Sequence, residues 1–158
     1  MKKKASWALL KNPVHFCSLG AGSGLLPGMP GTYGSLLALF LFLPLTQLPF
    51  PVILTINAVL FLIGCLFCDF TARVIGRDDP SQVVFDEIVG MFFVLAFTPV
   101  SVTFYLIAFI LFRIFDVLKP WPIKGCDKNI KGGFGIMLDD LLAALYTIII
   151  MQIILIIL

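Results

Sequence analysis

Charge is what this sequence has least of. Charged residues make up only 13% of its 158 positions, about half the usual share of a soluble domain. No charged residue lies between Asn12 and Cys68, none between Ile88 and Phe112, and none from Leu141 to Leu158. With 60% hydrophobic residues and a mean hydropathy of +1.08, the chain has too little polar surface to cover itself in water. The bilayer is the more natural solvent. The length suggests a single domain over residues 1–158.

Other shortages exclude whole chemistries. A single histidine, His15, leaves no histidine-based phosphatase and no zinc centre. Of four cysteines, Cys65 and Cys68 form a C-x-x-C inside an apolar run, where small buried hydrophobes at helical spacing are expected rather than a metal or redox pair. No Cys-x₅-Arg occurs, because Cys126 reaches Lys131 and Gly132 at that spacing. No Asp-x-Asp pair and no P-loop occur either. Asp69-Phe70-Thr71-Ala72-Arg73 lacks the glycine and spaced carboxylates of a CDP-alcohol phosphotransferase. The basic start, Met1-Lys2-Lys3-Lys4, is followed by an apolar stretch too short for a signal peptide. An amphipathic segment on an anionic leaflet is expected there.

The apolar runs predict an all-α, polytopic membrane bundle. Its five hydrophobic helices are Tyr33–Leu45, Val52–Cys68, Val84–Phe97, Val102–Phe115 and Asp140–Leu158, with short interfacial helices besides. Several are shorter than the ~20 residues of a straight span. The uncharged turns Pro44–Pro51 and Thr98–Ser101 would lie on one side of the membrane. The N-terminus, Asp69–Glu87 and Arg113–Asp140 would lie on the other, which the positive-inside rule makes cytoplasmic.

All nine acidic residues fall on that cytoplasmic side. Asp78 and Asp127 sit in polar loops and read as solvated. Asp86-Glu87 and Asp139-Asp140 each open an apolar helix, and Asp116 closes one. One carboxylate at a helix start is an ordinary cap, but adjacent pairs exceed that need. Asp116 sits at a C-terminal end, where a carboxylate is disfavoured. Carboxylates that converge in a partly dry place repel one another unless a cation lies among them. Oxygen ligands without histidine or cysteine point to a hard cation, Mg²⁺.

Arg113, one turn before Asp116, is either a fork for a phosphate or an i,i+3 ion pair with Asp116. Lys119 offers a second positive charge, whereas Lys124, Lys128 and Lys131 read as general attraction for anionic lipid. In the glycine-rich stretch from Gly20 to Ser35, Thr32 and Ser35 are candidate helix caps or phosphate contacts. The glycines of Gly132–Gly135 are expected to form a loop running into Asp139-Asp140.

Four segments then stand in order along the chain: Pro30–Ser35 (PGTYGS), Phe85–Met91 (FDEIVGM), Phe112–Ile123 (FRIFDVLKPWPI) and Gly132–Ala144 (GGFGIMLDDLLAA). Together they resemble the bacterial phosphatidylglycerophosphatase A family. The resemblance implies a helical fold with a central helix surrounded by others. It also implies Mg²⁺-dependent removal of the terminal phosphate from phosphatidylglycerophosphate, yielding phosphatidylglycerol, at the cytoplasmic face of a bacterial inner membrane. Carried over to this chain, Asp86, Glu87, Asp139 and Asp140 are the expected metal ligands. Asp116 joins them or acts as general base, and Arg113 and Lys119 bind the phosphate. Asp79 also matches an acidic position, while Asp69 matches none and receives no role. The rival reading is a small membrane cation transporter or ion-binding subunit, which would need polar groups through the membrane depth. The far half offers only the amides Gln47, Asn57 and Gln152.

Overall fold

Proline and glycine punctuate the chain where helices begin and end. Pro13, Pro30 and Pro51 sit in the first turns of three helices, where a missing N–H costs nothing. Gly76, at φ 77°, ends the third by taking the left-handed conformation and donating back to Ala72. The computed structural model describes residues 5–157. Its helices are α1 (Pro13–Ser18), α2 (Pro30–Phe42), α3 (Phe50–Ile75), α4 (Phe85–Ala96), α5 (Val102–Leu118), α6 (Ile123–Asn129) and α7 (Gly132–Ile157). Short 3₁₀ segments at Trp7–Lys11, Gly20–Leu25 and Leu43–Gln47 join them, and no strand occurs among the described residues. Of the expected N-terminal amphipathic segment, residues 1–4 lie outside the described residues, as does Leu158 of the last helix.

The centre of the fold is α4. Eight of its twelve residues are buried, and it packs against α2, α3, α5 and α7. A helix buried on every side must be apolar on every side, which the run Ile88–Ala96 satisfies. Phe92 meets Phe42 of α2 edge to face at 5.4 Å. Gly90 lets α5 and α7 close on the same turn: a Cβ there would lie 2.9 Å from the Phe112 ring and 3.2 Å from the Asp140 carbonyl oxygen. Cys68, Val89 and Met137 share a second core with Leu19 and Ile136. Cys65 and Cys68 are free thiols on α3, and the Cys68 Sγ lies 3.8 Å from the Met137 Sδ.

Two helices run a full turn or more past their expected limits. The third reaches Ile75, because Cys68, Ala72 and Ile75 go on packing into the second core, while Asp69 and Arg73 pair i,i+4 at 2.8 Å on its outer side. The last starts at Gly132, which takes a left-handed φ of 79°, so Gly133 and Gly135 lie in a helical first turn instead of the expected loop. Asp69 of α3 accepts a hydrogen bond from the Gly133 N–H at 3.3 Å and holds that start. Asp139 and Asp140 therefore lie two turns inside α7 and cannot serve as its caps.

Among the described residues, only α3 and α7, at 26 residues each, are long and apolar enough to cross a bilayer alone. Their outer faces stay bare: Leu62 and Leu66 on α3 are 66% and 71% exposed, and Ile156 on α7 is 84% exposed. Val102 and Ile110 of α5 are exposed as well. Apolar surface of this extent is expected to face lipid. At one end of the bundle Phe50 meets Phe97 at 5.2 Å, and Gln152 donates to the Phe97 carbonyl at 2.8 Å. The carboxylates all gather at the opposite end.

Candidate active site

Three helix ends, the loop before α4 and the interior of α7 meet around one cavity of about 270 Å³. The start of α2 supplies Met29, Pro30 and Gly31. The segment before α4 supplies Asp79, Ser81 and Val83, and the first turn of α4 supplies Asp86 and Glu87. The end of α5 supplies Arg113, Asp116 and Lys119. From two turns inside α7 come Asp139 and Asp140.

Three carboxylates form the floor. One oxygen each of Asp86, Glu87 and Asp140 lies within 4.8 Å of the other two. Asp86 and Asp140 are 7% and 2% exposed. Oxygens of all three, Asp86 Oδ1, Glu87 Oε2 and Asp140 Oδ2, are buried without a hydrogen-bond partner. Buried polar atoms are nearly always paired, and buried carboxylates this close repel. A hard cation would satisfy both needs, so the donor set fits Mg²⁺. Asp139 is directed elsewhere: its Oδ2 accepts from the Lys119 ammonium at 2.5 Å.

The cations form the wall. Arg113 bonds Asp116 across one helical turn, and its Nη1 lies 3.9 Å from Glu87 Oε1. Its Nε is buried and unpartnered. The i,i+3 pair and the position on the cavity thus coexist. Lys119 ends α5 in a left-handed conformation, φ 45°, which turns its side chain towards Asp139 and, at 3.2 Å, Asp127. Burial pulls the Lys119 ammonium down, but the hydrogen bond and charge of Asp139, with Asp127 behind it, outweigh burial and hold it above its ordinary range. Asp79, in the loop before α4, is pushed up by burial.

Gly31 is placed by close approach. A Cβ there would meet Glu87 Oε1 and lie 2.9 Å from Arg113 Nη1. The PGTYGS segment therefore touches the site through absent atoms. Its hydroxyls do not line this cavity. Ser35 is fully buried and donates to the Gly31 carbonyl at 2.8 Å. Thr32 borders a neighbouring apolar groove, with its hydroxyl unpartnered. Among the lining residues, Met29, Ser81 and Val83 carry no signal in the sequence, whereas Gly31 lies in the PGTYGS segment and Asp79 matches an acidic position of the family, although neither had a role assigned.

Comparison with known proteins shows the family of the chain. A family model described as phosphatidylglycerophosphatase A matches residues 16–155. The chain is 46% identical over 143 residues to phosphatidylglycerophosphatase A of Haemophilus influenzae, covering 89% of this chain and 88% of that one. It is 40% identical over 135 residues to the Escherichia coli protein of the same name, covering 85% and 78%. No solved structure matches. With the bare apolar faces of α3 and α7, these similarities make the protein a membrane protein. The matched segment takes in every helix around the cavity, and the chain belongs to the phosphatidylglycerophosphatase A family.

Proposed function

We propose that this protein is a phosphatidylglycerophosphatase, and that the cavity between α2, α4, α5 and α7 is where it removes the terminal phosphate of phosphatidylglycerophosphate. The single observation that carries the reading is the three-carboxylate floor with unpartnered oxygens, walled by Arg113 and Lys119. A phosphate monoester needs positive charge around its oxygens and a way to deliver water to phosphorus.

In this reading Asp86, Glu87 and Asp140 hold Mg²⁺. Bound there, the ion supplies a Lewis acid for the phosphoryl oxygens. Asp139 serves through Lys119: their pair fixes the ammonium at the rim, where it faces phosphate. Arg113 presents its remaining N–H groups to the phosphate while holding Asp116 in direction. Asp116 accepts the proton of the attacking water. The water oxygen bonds to phosphorus, the bond from phosphorus to the glycerol oxygen breaks, and that oxygen takes up the proton. Inorganic phosphate and phosphatidylglycerol leave.

The membrane arrangement belongs to the same proposal. The shorter helices α2, α4 and α5 complete a five-helix bundle with α3 and α7 in a bacterial inner membrane. The cavity then opens at the cytoplasmic face, beside lipid phosphates. Two features support this: the uncharged turns lie at the far end, and the cationic residues of α5 and α6 lie at the cavity end. Single cysteines at Thr46 and Ser101, in a chain stripped of its own four, should react with an impermeant reagent from outside cells. One at Asp78 should react only after lysis.

The deciding experiment is phosphate release. Purified protein should liberate phosphate from phosphatidylglycerophosphate with Mg²⁺ and cease with a chelator. Ion flux through liposomes without phosphate release would sink the enzyme reading in favour of the transporter.

A further inference from the structure

The carboxylate cavity accounts for a phosphate but leaves unexplained where the rest of an amphiphilic molecule goes. A second cavity of about 420 Å³ adjoins it and shares Met29 and Arg113 with it. This one is an apolar groove between α2 and α5. A third, of about 250 Å³, continues along the same two helices towards the far end, past Leu36 and Leu106. On α5 the groove follows Arg113, Ile110, Leu106 and Val102, which stand on successive turns of one face. On α2 it follows Thr32 and then Leu36, again one turn apart. Ile110, Leu106, Val102 and Leu36 are all exposed, so the seam lies open sideways to the surrounding lipid.

Its dimensions suit one occupant. The eleven steps along α5 from Arg113 back to Val102 rise about 16 Å. Half of a bilayer's hydrocarbon core is about 15 Å. A chain whose head group is held at Arg113 would therefore run the length of the seam and end near the bilayer middle. Polarity is graded in the same direction. The cations come first, at Arg113, then the borders of the groove at Met29 and Thr32, and then hydrocarbon surface alone. The bare face of α3 around Leu62 offers no such continuity, since no α3 residue lines the carboxylate cavity.

The geometry points to the α2–α5 seam as the binding groove for one acyl chain of the lipid whose phosphate occupies the carboxylate cavity. The inference rests on the phosphatase reading and adds to it a lateral route by which a substrate docks from the membrane. The groove contributes affinity only for substrates that have a long chain to place in it.

Filling the groove tests this. Leu106→Trp and Ile110→Trp should each lower kcat/KM about tenfold on palmitoyl phosphatidylglycerophosphate in mixed micelles. The water-soluble butyroyl analogue should be hydrolysed at the unaltered rate. Leu62→Trp, on the bare face of α3, should change neither. Equal loss on both chain lengths, or no loss on the long one, overturns the groove. A second measurement needs no substitution. Phosphatidylglycerophosphate with a photoreactive diazirine at its chain end should crosslink wild-type protein on α2 and α5; crosslinks confined to α3 overturn the inference. Failure of the phosphatase reading itself looks different, because wild-type protein would then release phosphate from neither chain length.

Discussion

Lys119 and Asp139, twenty residues apart, meet at 2.5 Å across the rim of the cavity. The contact joins the end of α5 to the interior of α7. It removes Asp139 from the group of carboxylates that meet at the floor, and it prevents the Lys119 ammonium from swinging into solvent. One side chain of the pair is a quarter exposed and the other is almost wholly buried, so breaking it leaves a buried charge alone.

Lys119→Met should therefore cost stability as well as activity. We expect a loss of about 1–3 kcal/mol in denaturation of the detergent-solubilised protein, with at least a tenfold fall in kcat/KM. Adding Asp139→Asn to it should restore stability but not activity. The raised Lys119 pKa gives the sign of the pH dependence. Its pairing contributes fully below the unfolded lysine value of about 10.4 and is lost as pH rises through the still higher folded value. Between pH 7 and 9, then, the Lys119 ammonium should contribute a constant stability to the unaltered protein.

Asp86→Asn should abolish turnover, by a hundredfold or more, while the protein still inserts in the membrane. Unchanged turnover would remove Asp86 from the site. The neutral amide also relieves repulsion among the three carboxylates, so the metal-free variant should be no less stable than the parent.

Metal binding has its own readout, independent of catalysis. Mg²⁺ should raise the Tm of the parent protein in proportion to the logarithm of its concentration, because it binds the folded carboxylates alone. The same titration on Asp86→Asn should give a much smaller rise. An identical rise in both would place the ion elsewhere.

Gly31→Ala adds a single methyl group, and that methyl would collide with Glu87 and Arg113 together. Activity should fall tenfold or more with a stability loss of about 1–3 kcal/mol. Gly125→Ala serves as the comparison, since a Cβ there meets nothing within 4 Å.

Asp69→Ala tests an acidic residue outside the cavity. Its carboxylate caps the start of α7 through the Gly133 N–H. The loss should be about 1 kcal/mol of stability, with kcat nearly unchanged. A large fall in kcat would mean that the start of α7 must be fixed for Asp139 and Asp140 to reach the cavity.

The sequence by itself determined the solvent and the chemistry. Stretches without charge, such as Asn12 to Cys68, require lipid or a buried interior. Carboxylates at the ends of apolar runs, with one histidine in the whole chain, would suit a hard cation if they converge. Helix ends were less legible. The run from Cys68 to Ile75 looks like a loop by charge, yet continues as helix because Cys68, Ala72 and Ile75 pack on one face into the core. The glycines at Gly132–Gly135 look like a loop by composition, yet Gly133 and Gly135 are helical because α7 lies so close to α3 that a Cβ at Gly133 would collide with the Cys65 carbonyl.

Which carboxylates meet was decided only by the tertiary structure. Asp139 and Asp140 are neighbours in the chain, but on a helix they point about 100° apart. Asp140 therefore turns towards Asp86 and Glu87 while Asp139 turns towards Lys119. Spacing along a strand of letters cannot say which helix stands opposite each of them, because that depends on how α4, α5 and α7 pack around Gly90.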